Sequence, residues 1–202
     1  MSDRDARPAF ESAGAFLRGH FVYTSGRHGA DYLEKFRILE DPRATTELAG
    51  MIAERFQAMK PELVAGPTTG GIILAFEVAR QLGVDAVYVE RGDAGGRVLR
   101  RGFEISPEAR VLVVDDVVTT GGSLLETQAC IVNAGGVVIG IGVLADRTAG
   151  RVATNVPFYA CLTLDFPSYT ADACPQCASG VPVAPPRGSS KVKLPSPSGG
   201  AR

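Results

Sequence analysis

At 202 residues, with 22 acidic side chains against 21 basic ones and a formal net charge of −1, the chain suits one domain with a substantial core. That balance leaves no net positive field to recruit nucleic acid or an anionic membrane. No apolar run approaches the roughly 18 residues of a membrane span, and the first 18 residues lack the apolar stretch of a secretory leader.

In chain order, residues 8–17 read as a short amphipathic helix. Residues 21–24 read as a strand, residues 25–29 as a turn, and an extended return starts at Tyr32. Asp41 followed by Pro42 marks a helix start, with apolar residues recurring at Leu48, Ile52 and Phe56. Residues 63–65 form a short buried strand that ends in Gly66-Pro67-Thr68-Thr69-Gly70-Gly71, and a helix over 72–82 and a strand over 84–89 follow. Residues 91–97 are glycine-rich and polar, which predicts a mobile loop. A return strand is expected over 101–105, then a strand ending at Asp115 and Asp116, a helix over 123–133 and a strand over 137–144. This alternation predicts an α/β fold: a mainly parallel twisted sheet flanked by helices, with right-handed crossovers.

Residues 111–123 carry the densest chemistry. Four branched or aliphatic residues lead to Asp115 and Asp116, and then Val117, Val118, Thr119, Thr120, Gly121, Gly122 and Ser123 follow. An unbroken apolar run is a buried parallel strand, and its C-terminal edge is where open α/β sheets bind ligands. The hydroxyls, the closely approachable N–H groups and the helix N-terminus of this turn favour a phosphate. Carboxylates beside an anion suit what the anion is attached to, such as ribose hydroxyls or a bridging magnesium ion.

This segment resembles the signature of the type I phosphoribosyltransferases, which bind 5-phosphoribosyl 1-diphosphate. The resemblance implies that the acidic pair contacts ribose, that the turn from Val117 to Ser123 cradles the 5′-phosphate, and that Thr68, Thr69 and Gly70 hold pyrophosphate around a cis non-proline peptide. It also implies a small N-terminal hood, drawn from about residues 1–40 and 150–177, in a single domain over 1–177. Three further segments are similar to orotate-using members of the family: Gly19 to Gly26 with Tyr32 and Leu33, residues 99–103, and Ala145-Asp146-Arg147. Transfer to orotate is therefore expected, with Arg147, Thr119, Tyr32 and Leu33 at the base. A guanidinium fork suits the orotate carboxylate. Magnesium carried mainly on the substrate diphosphate, a homodimer, and no nucleic-acid or membrane partner are implied.

The chain departs from the family at two lysines, because Thr24 and Gly70 stand in their places. The loop charges are Arg91, Asp93, Arg97, Arg100 and Arg101, so its expected catalytic contribution, assigned to Arg91 beside Asp115 and Asp116, is electrostatic. A phosphoribosyltransferase for another base, or a regulator that senses the sugar diphosphate without catalysis, are the alternatives.

Four cysteines in this length make no disulfide framework, and Cys130 and Cys161 fall in apolar segments, so buried thiols and a cytoplasmic location are expected. Cys174-Pro175-Gln176-Cys177 has no second ligand pair nearby in sequence, which predicts a local turn and no metal site unless two copies of the chain share one. Fourteen of the last 25 residues are Pro, Gly or Ser, so 178–202 is expected to be a disordered basic tail.

Overall fold

The computed structural model describes residues 4–23 and 25–185. They fall into two compact units: Met1–Ala15 with Lys35–Asp165, and Phe16–Glu34 with Phe166–Arg202. The second unit draws on both regions from which a hood was expected, about 1–40 and 150–177, and continues past 177.

The larger unit contains α1 (Arg7–Ser12), α2 (Phe36–Leu39), α3 (Pro42–Phe56), α4 (Gly70–Leu82) and α5 (Gly122–Asn133). Its sheet is formed by β3 (Leu63–Pro67), β4 (Asp85–Arg91), β5 (Arg97–Leu99), β6 (Arg110–Val118), β7 (Val137–Asp146) and β8 (Phe158–Thr163). The smaller unit contains β1 (Phe16–Val22), β2 (His28–Leu33) and α6 (Pro175–Ala178).

The sheet order is β5-β4-β3-β6-β7-β8, parallel except for β5. From β3 the chain steps outward to β4 and then returns to the other side of β3 as β6. That reversal is a topological switch point, and the crevice it opens lies beyond the C-terminal ends of β3 and β6. The ladder between them is last paired at Ala65 and Val113. Two residues further along lie Pro67 and Asp115, where the strands have parted.

Alternation along β6 sorts its side chains between two cores. Val111 and Val113 join a cluster with Leu124 and Ile131 of α5. Leu112 and Val114 are also buried, as are Leu48, Ile52 and Phe56 of α3 and Leu74 and Val78 of α4. The start of α3 is set by Asp41, whose carboxylate accepts from the Arg43 N–H at 2.9 Å, and by Pro42 in the first turn. Gly142 has no side chain because a Cβ there would meet Ile52 Cγ2 at 2.5 Å. This closeness packs α3 against β7.

Three expected elements differ. The first helix stops at Ser12 because Gly14 adopts a left-handed φ of 65°, and residues from Phe16 instead pair with β2. The return strand lies at 97–99, not 101–105, because Arg101 and Gly102 turn left-handed at φ of 62° and 75°. Residues 91–97 close a hairpin whose turn is tied by the Gly92 and Gly96 backbones at 3.1 Å. Strand β8 was not expected at all; half-buried from Phe158 to Leu162, it has no alternation to reveal it.

Residues 178–185 of the expected tail are described. The Ala184 N–H donates to the His20 carbonyl at 2.7 Å, so residues 178–184 belong to the smaller unit. Residues 186–202 of the expected tail, and Thr24 of the Gly19–Gly26 segment, lie outside the described residues. Among the described residues, no helix is long and apolar enough to cross a membrane.

Candidate functional site

Both turns at the β3–β6 crevice open helices. Gly121, at φ 81°, precedes α5 and carries no side chain to cap it, so the first-turn N–H groups face outward as donors. Thr119 and Thr120 are exposed just before them. The other turn leads from Pro67 into α4 and contains a cis peptide between Thr68 and Thr69. Its N-cap, Thr69, makes no side-chain cap either. Two helix N-termini without side-chain caps therefore flank one crevice.

Asp115 and Asp116 lie between these turns, 7% and 3% exposed. Asp116 is compensated: Lys35 Nζ lies 2.7 Å from Oδ2 and donates to Oδ1 at 2.9 Å. The sequence reading missed Lys35. Its rarity was a usable signal, since the chain has only four lysines and three of them lie at 60, 191 and 193. Burial, and then the charge of Asp116, push the Asp115 carboxyl up to about 7, opposed by the Asp116 N–H that donates to it at 2.8 Å. Asp115 is thus a costly anion that a hydroxyl donor or a cation would relieve.

Gly70 accounts for the missing lysine in this turn. A Cβ at that position would fall 1.9 Å from Asp116 Oδ2 and 3.0 Å from a Leu39 methyl. The volume a side chain would need is already taken by the carboxylate, and positive charge enters from Lys35.

Lys35→Met is expected to lower stability by roughly 1–3 kcal/mol in urea unfolding. This is less than for a fully buried pair, because 36% of the Lys35 side chain is exposed. Wild-type stability in this variant would mean that Asp116 is compensated elsewhere.

Arg97 joins the two turns. One guanidinium nitrogen donates to Thr68 Oγ1 at 3.1 Å and the other to Ser123 Oγ at 3.0 Å. Its side chain is 10% exposed, Glu126 lies 3.6 Å from Nε, and that Nε is buried without a hydrogen-bond acceptor. Such an orphaned charged donor suits an incoming anion. Arg91, by contrast, occupies the exposed end of β4 opposite Arg97 in the ladder. Arg100 pairs with Asp93 at 3.0 Å and Arg101 with Glu90 at 2.9 Å, both near the surface.

Val117 and Val118 complete β6, and Val118 is buried while its carbonyl accepts from the Arg147 N–H at 2.9 Å. Arg147 therefore begins directly beside the turn that follows β6. Asp146 is committed to the loop after β7, accepting from the Thr148 and Gly150 N–H groups at 2.6 and 2.9 Å. Tyr32 and Leu33 belong to the smaller unit, where Leu33 is buried and the Tyr32 ring lies 5.2 Å from that of Phe21.

The chain is similar to known proteins along most of its length. Residues 37–174 match the phosphoribosyl transferase domain model. An orotate phosphoribosyltransferase of Caldanaerobacter subterraneus subsp. tengcongensis is 44% identical over 91% of this chain and 95% of its own. One from Pelotomaculum thermopropionicum is 45% identical over the same shares, 91% and 95%. The crystal structure of the Aeropyrum pernix orotate phosphoribosyltransferase superposes with a TM-score of 0.66 at 29% identity, covering 80% of this chain and 94% of that one. That of Mycobacterium tuberculosis, in complex with Fe(III) dicitrate, gives 0.67 at 27% identity over 80% and 97%.

Proposed function

Since the chain belongs to the phosphoribosyl transferase domain family, we infer that it transfers the phosphoribosyl group of 5-phosphoribosyl 1-diphosphate to orotate, giving orotidine 5′-monophosphate and pyrophosphate. The observation that carries this reading is a buried carboxylate pair between two helix-capped anion cradles, bridged by Arg97. One cradle serves each end of a sugar phosphorylated at both ends.

In our reading the N-terminus of α5, with Thr119, Thr120 and Ser123, holds the 5′-phosphate. Asp115 accepts from the ribose hydroxyls, and Thr68, Thr69, Gly70 and Arg97 hold the diphosphate. N1 of orotate forms the new bond to the anomeric carbon as the carbon–oxygen bond to diphosphate breaks. The electron pair leaves with pyrophosphate, and the N1 proton passes to solvent. Because positive charge grows on the sugar and negative charge on the leaving group, carboxylates under the ribose and a guanidinium at the diphosphate stabilise both. Arginine holds its proton at neutral pH, so Arg97 acts only through charge and hydrogen bonding.

Magnesium fits this arrangement, since the buried Asp115 carboxylate and the threonine hydroxyls are hard oxygen donors beside a diphosphate cradle. When bound on the diphosphate it would neutralise charge on the leaving group. We also propose a homodimer, supported by Ile73 and Phe76 of α4, which are 42% and 65% exposed. A cytoplasmic location is consistent with four free cysteines.

Arg147 and Thr119 are assigned to the base. Losing a charge-assisted bond of about 1.5–3 kcal/mol, Arg147→Ala should raise KM for orotate roughly 10- to 150-fold and leave KM for the sugar diphosphate nearly unchanged. Equal rises for both substrates would contradict a role at the orotate carboxylate.

The function is tested by loss of orotate absorbance in the presence of 5-phosphoribosyl 1-diphosphate and magnesium, with adenine, hypoxanthine and uracil run in parallel. Turnover of orotate alone is expected. Turnover of another base would overturn the specificity, and binding of the sugar diphosphate without any turnover would point to a sensing protein.

A further inference from the structure

The smaller unit brings together the CxxC pair and both histidines of the chain. His20, His28, Cys174 and Cys177 each direct one ligand atom to a common point, and the four atoms lie within 4.8 Å of one another. His20 Nε2 is 2.9 Å from His28 Nδ1 and 3.6 Å from the sulfur of each cysteine, and Cys177 Sγ is 3.3 Å from His28 Nδ1. A zinc ion with bonds of about 2.0 Å to nitrogen and 2.3 Å to sulfur sets tetrahedral edges of roughly 3.3–3.8 Å. The four separations given, 2.9–3.6 Å, lie close to that set, and no pair of the four atoms is more than 4.8 Å apart.

Each ligand is aimed by local structure. The β1–β2 ladder slips between Arg18 and Phe21, so Gly19 and His20 together oppose a single residue of β2. Such a bulge re-aims a side chain, and His20 and Phe21, though adjacent, are both buried, at 2% and 6% exposure. His28 exchanges two backbone hydrogen bonds with Tyr169, at 2.8 Å each, which ties the later segment to the hairpin. Cys174 occupies the N-cap position of α6 and Cys177 lies in its single turn. The Gln176 side chain donates to the Gly19 carbonyl at 2.8 Å and fastens that turn beside the bulge.

The histidine protonation follows from its partner. His20 Nδ1 lies 2.7 Å from the Val181 carbonyl, which can only accept, so Nδ1 carries the proton and the Nε2 lone pair faces the cluster. Two thiolates and two neutral imidazoles together balance a divalent cation. Cys174 is 2% exposed, so one ligand of the cluster lies out of solvent.

We propose that His20, His28, Cys174 and Cys177 bind one zinc ion in a closed tetrahedral site. Four protein ligands leave no position for substrate, so the site is structural. Its role is to staple a unit whose core is small: Phe21, Leu33 and Cys174 are the buried apolar side chains among its described residues. The expected turn at Cys174–Cys177 is present, but it is also half of a ligand set whose other half lies about 150 residues earlier.

The test uses the full chain, untagged and purified without chelator. Elemental analysis should find one zinc per chain, and exchange with cobalt(II) should produce the visible bands and thiolate charge-transfer absorption of a tetrahedral cobalt–thiolate centre. Cys177→Ser and His28→Asn should each lose the metal, while Asp115→Asn, in the other unit, should keep it. The proposal is overturned if the wild-type chain holds no stoichiometric zinc and gives no cobalt–thiolate bands. Full zinc retention in both ligand variants would overturn it equally. The wild-type measurement decides even if a variant fails to fold.

Discussion

Asp115→Asn combined with Asp116→Asn is expected to leave the fold intact and to reduce kcat/KM at least about 10²–10³-fold, the loss typical of one preorganised electrostatic contact. The β6–β7 ladder runs past both residues through backbone groups that the substitutions leave unchanged, so the sheet's hydrogen bonding is kept. Asparagine keeps the shape and still accepts the Asp116 N–H, but it supplies no negative charge beneath the sugar. Retention of near-normal turnover with unchanged circular dichroism would remove the ribose assignment.

Asp115 alone makes a further prediction. Its carboxyl rises from 3.8 to about 7 on folding, so ionisation opposes the folded state. That penalty is absent below about pH 4, grows as pH rises through the window to about 7, and is constant above it. Ligand-free Asp115→Asn should therefore melt higher than wild type at pH 8, with the gap narrowing as pH falls toward 4. Meanwhile KM for the sugar diphosphate in the wild type should climb below pH 7, as Asp115 takes up a proton and ceases to be an anionic acceptor. A gap independent of pH would mean that Asp115 is not the group titrating in this window.

Arg97→Ala is expected to cost roughly 10²–10³-fold in kcat/KM, with most of the loss in kcat. Its guanidinium reaches Thr68 and Ser123 at once and leaves a buried Nε without an acceptor, which in the proposed reaction would face charge developing on the diphosphate. Arg97→Lys should recover little, because one ammonium cannot span two turns as a planar fork does. Arg91→Ala is the control: exposed at the end of β4, it should change kcat/KM little. A larger loss at Arg91 than at Arg97 would return the electrostatic role to Arg91.

The local signals in this sequence were those whose cause is local. Four apolar residues before Asp115, a hydroxyl and glycine turn after it, and Asp41 with Pro42 before α3 each depend on burial or capping within a few residues, and all three elements form in their expected places. The same locality explains why residues 66–71 were legible as a turn from a strand into a helix. Errors arose where left-handed residues such as Arg101 ended a strand, or where half-burial erased alternation along β8.

Only tertiary structure could select among chemically similar residues. Five loop charges look alike in sequence, but Arg97 reaches Thr68 and Ser123 while Arg91, its partner in the ladder, is exposed at the end of β4. Lys35 meets Asp116 across 81 residues. The CxxC pair finds its histidines only because a bulge rotates His20 and a bridge ties His28 to Tyr169. The order of residues determined the strands, the turns and the kind of ligand they suit. Which side chains share a site depended on strand order and register, because contacts between distant segments leave no trace in spacing along the chain.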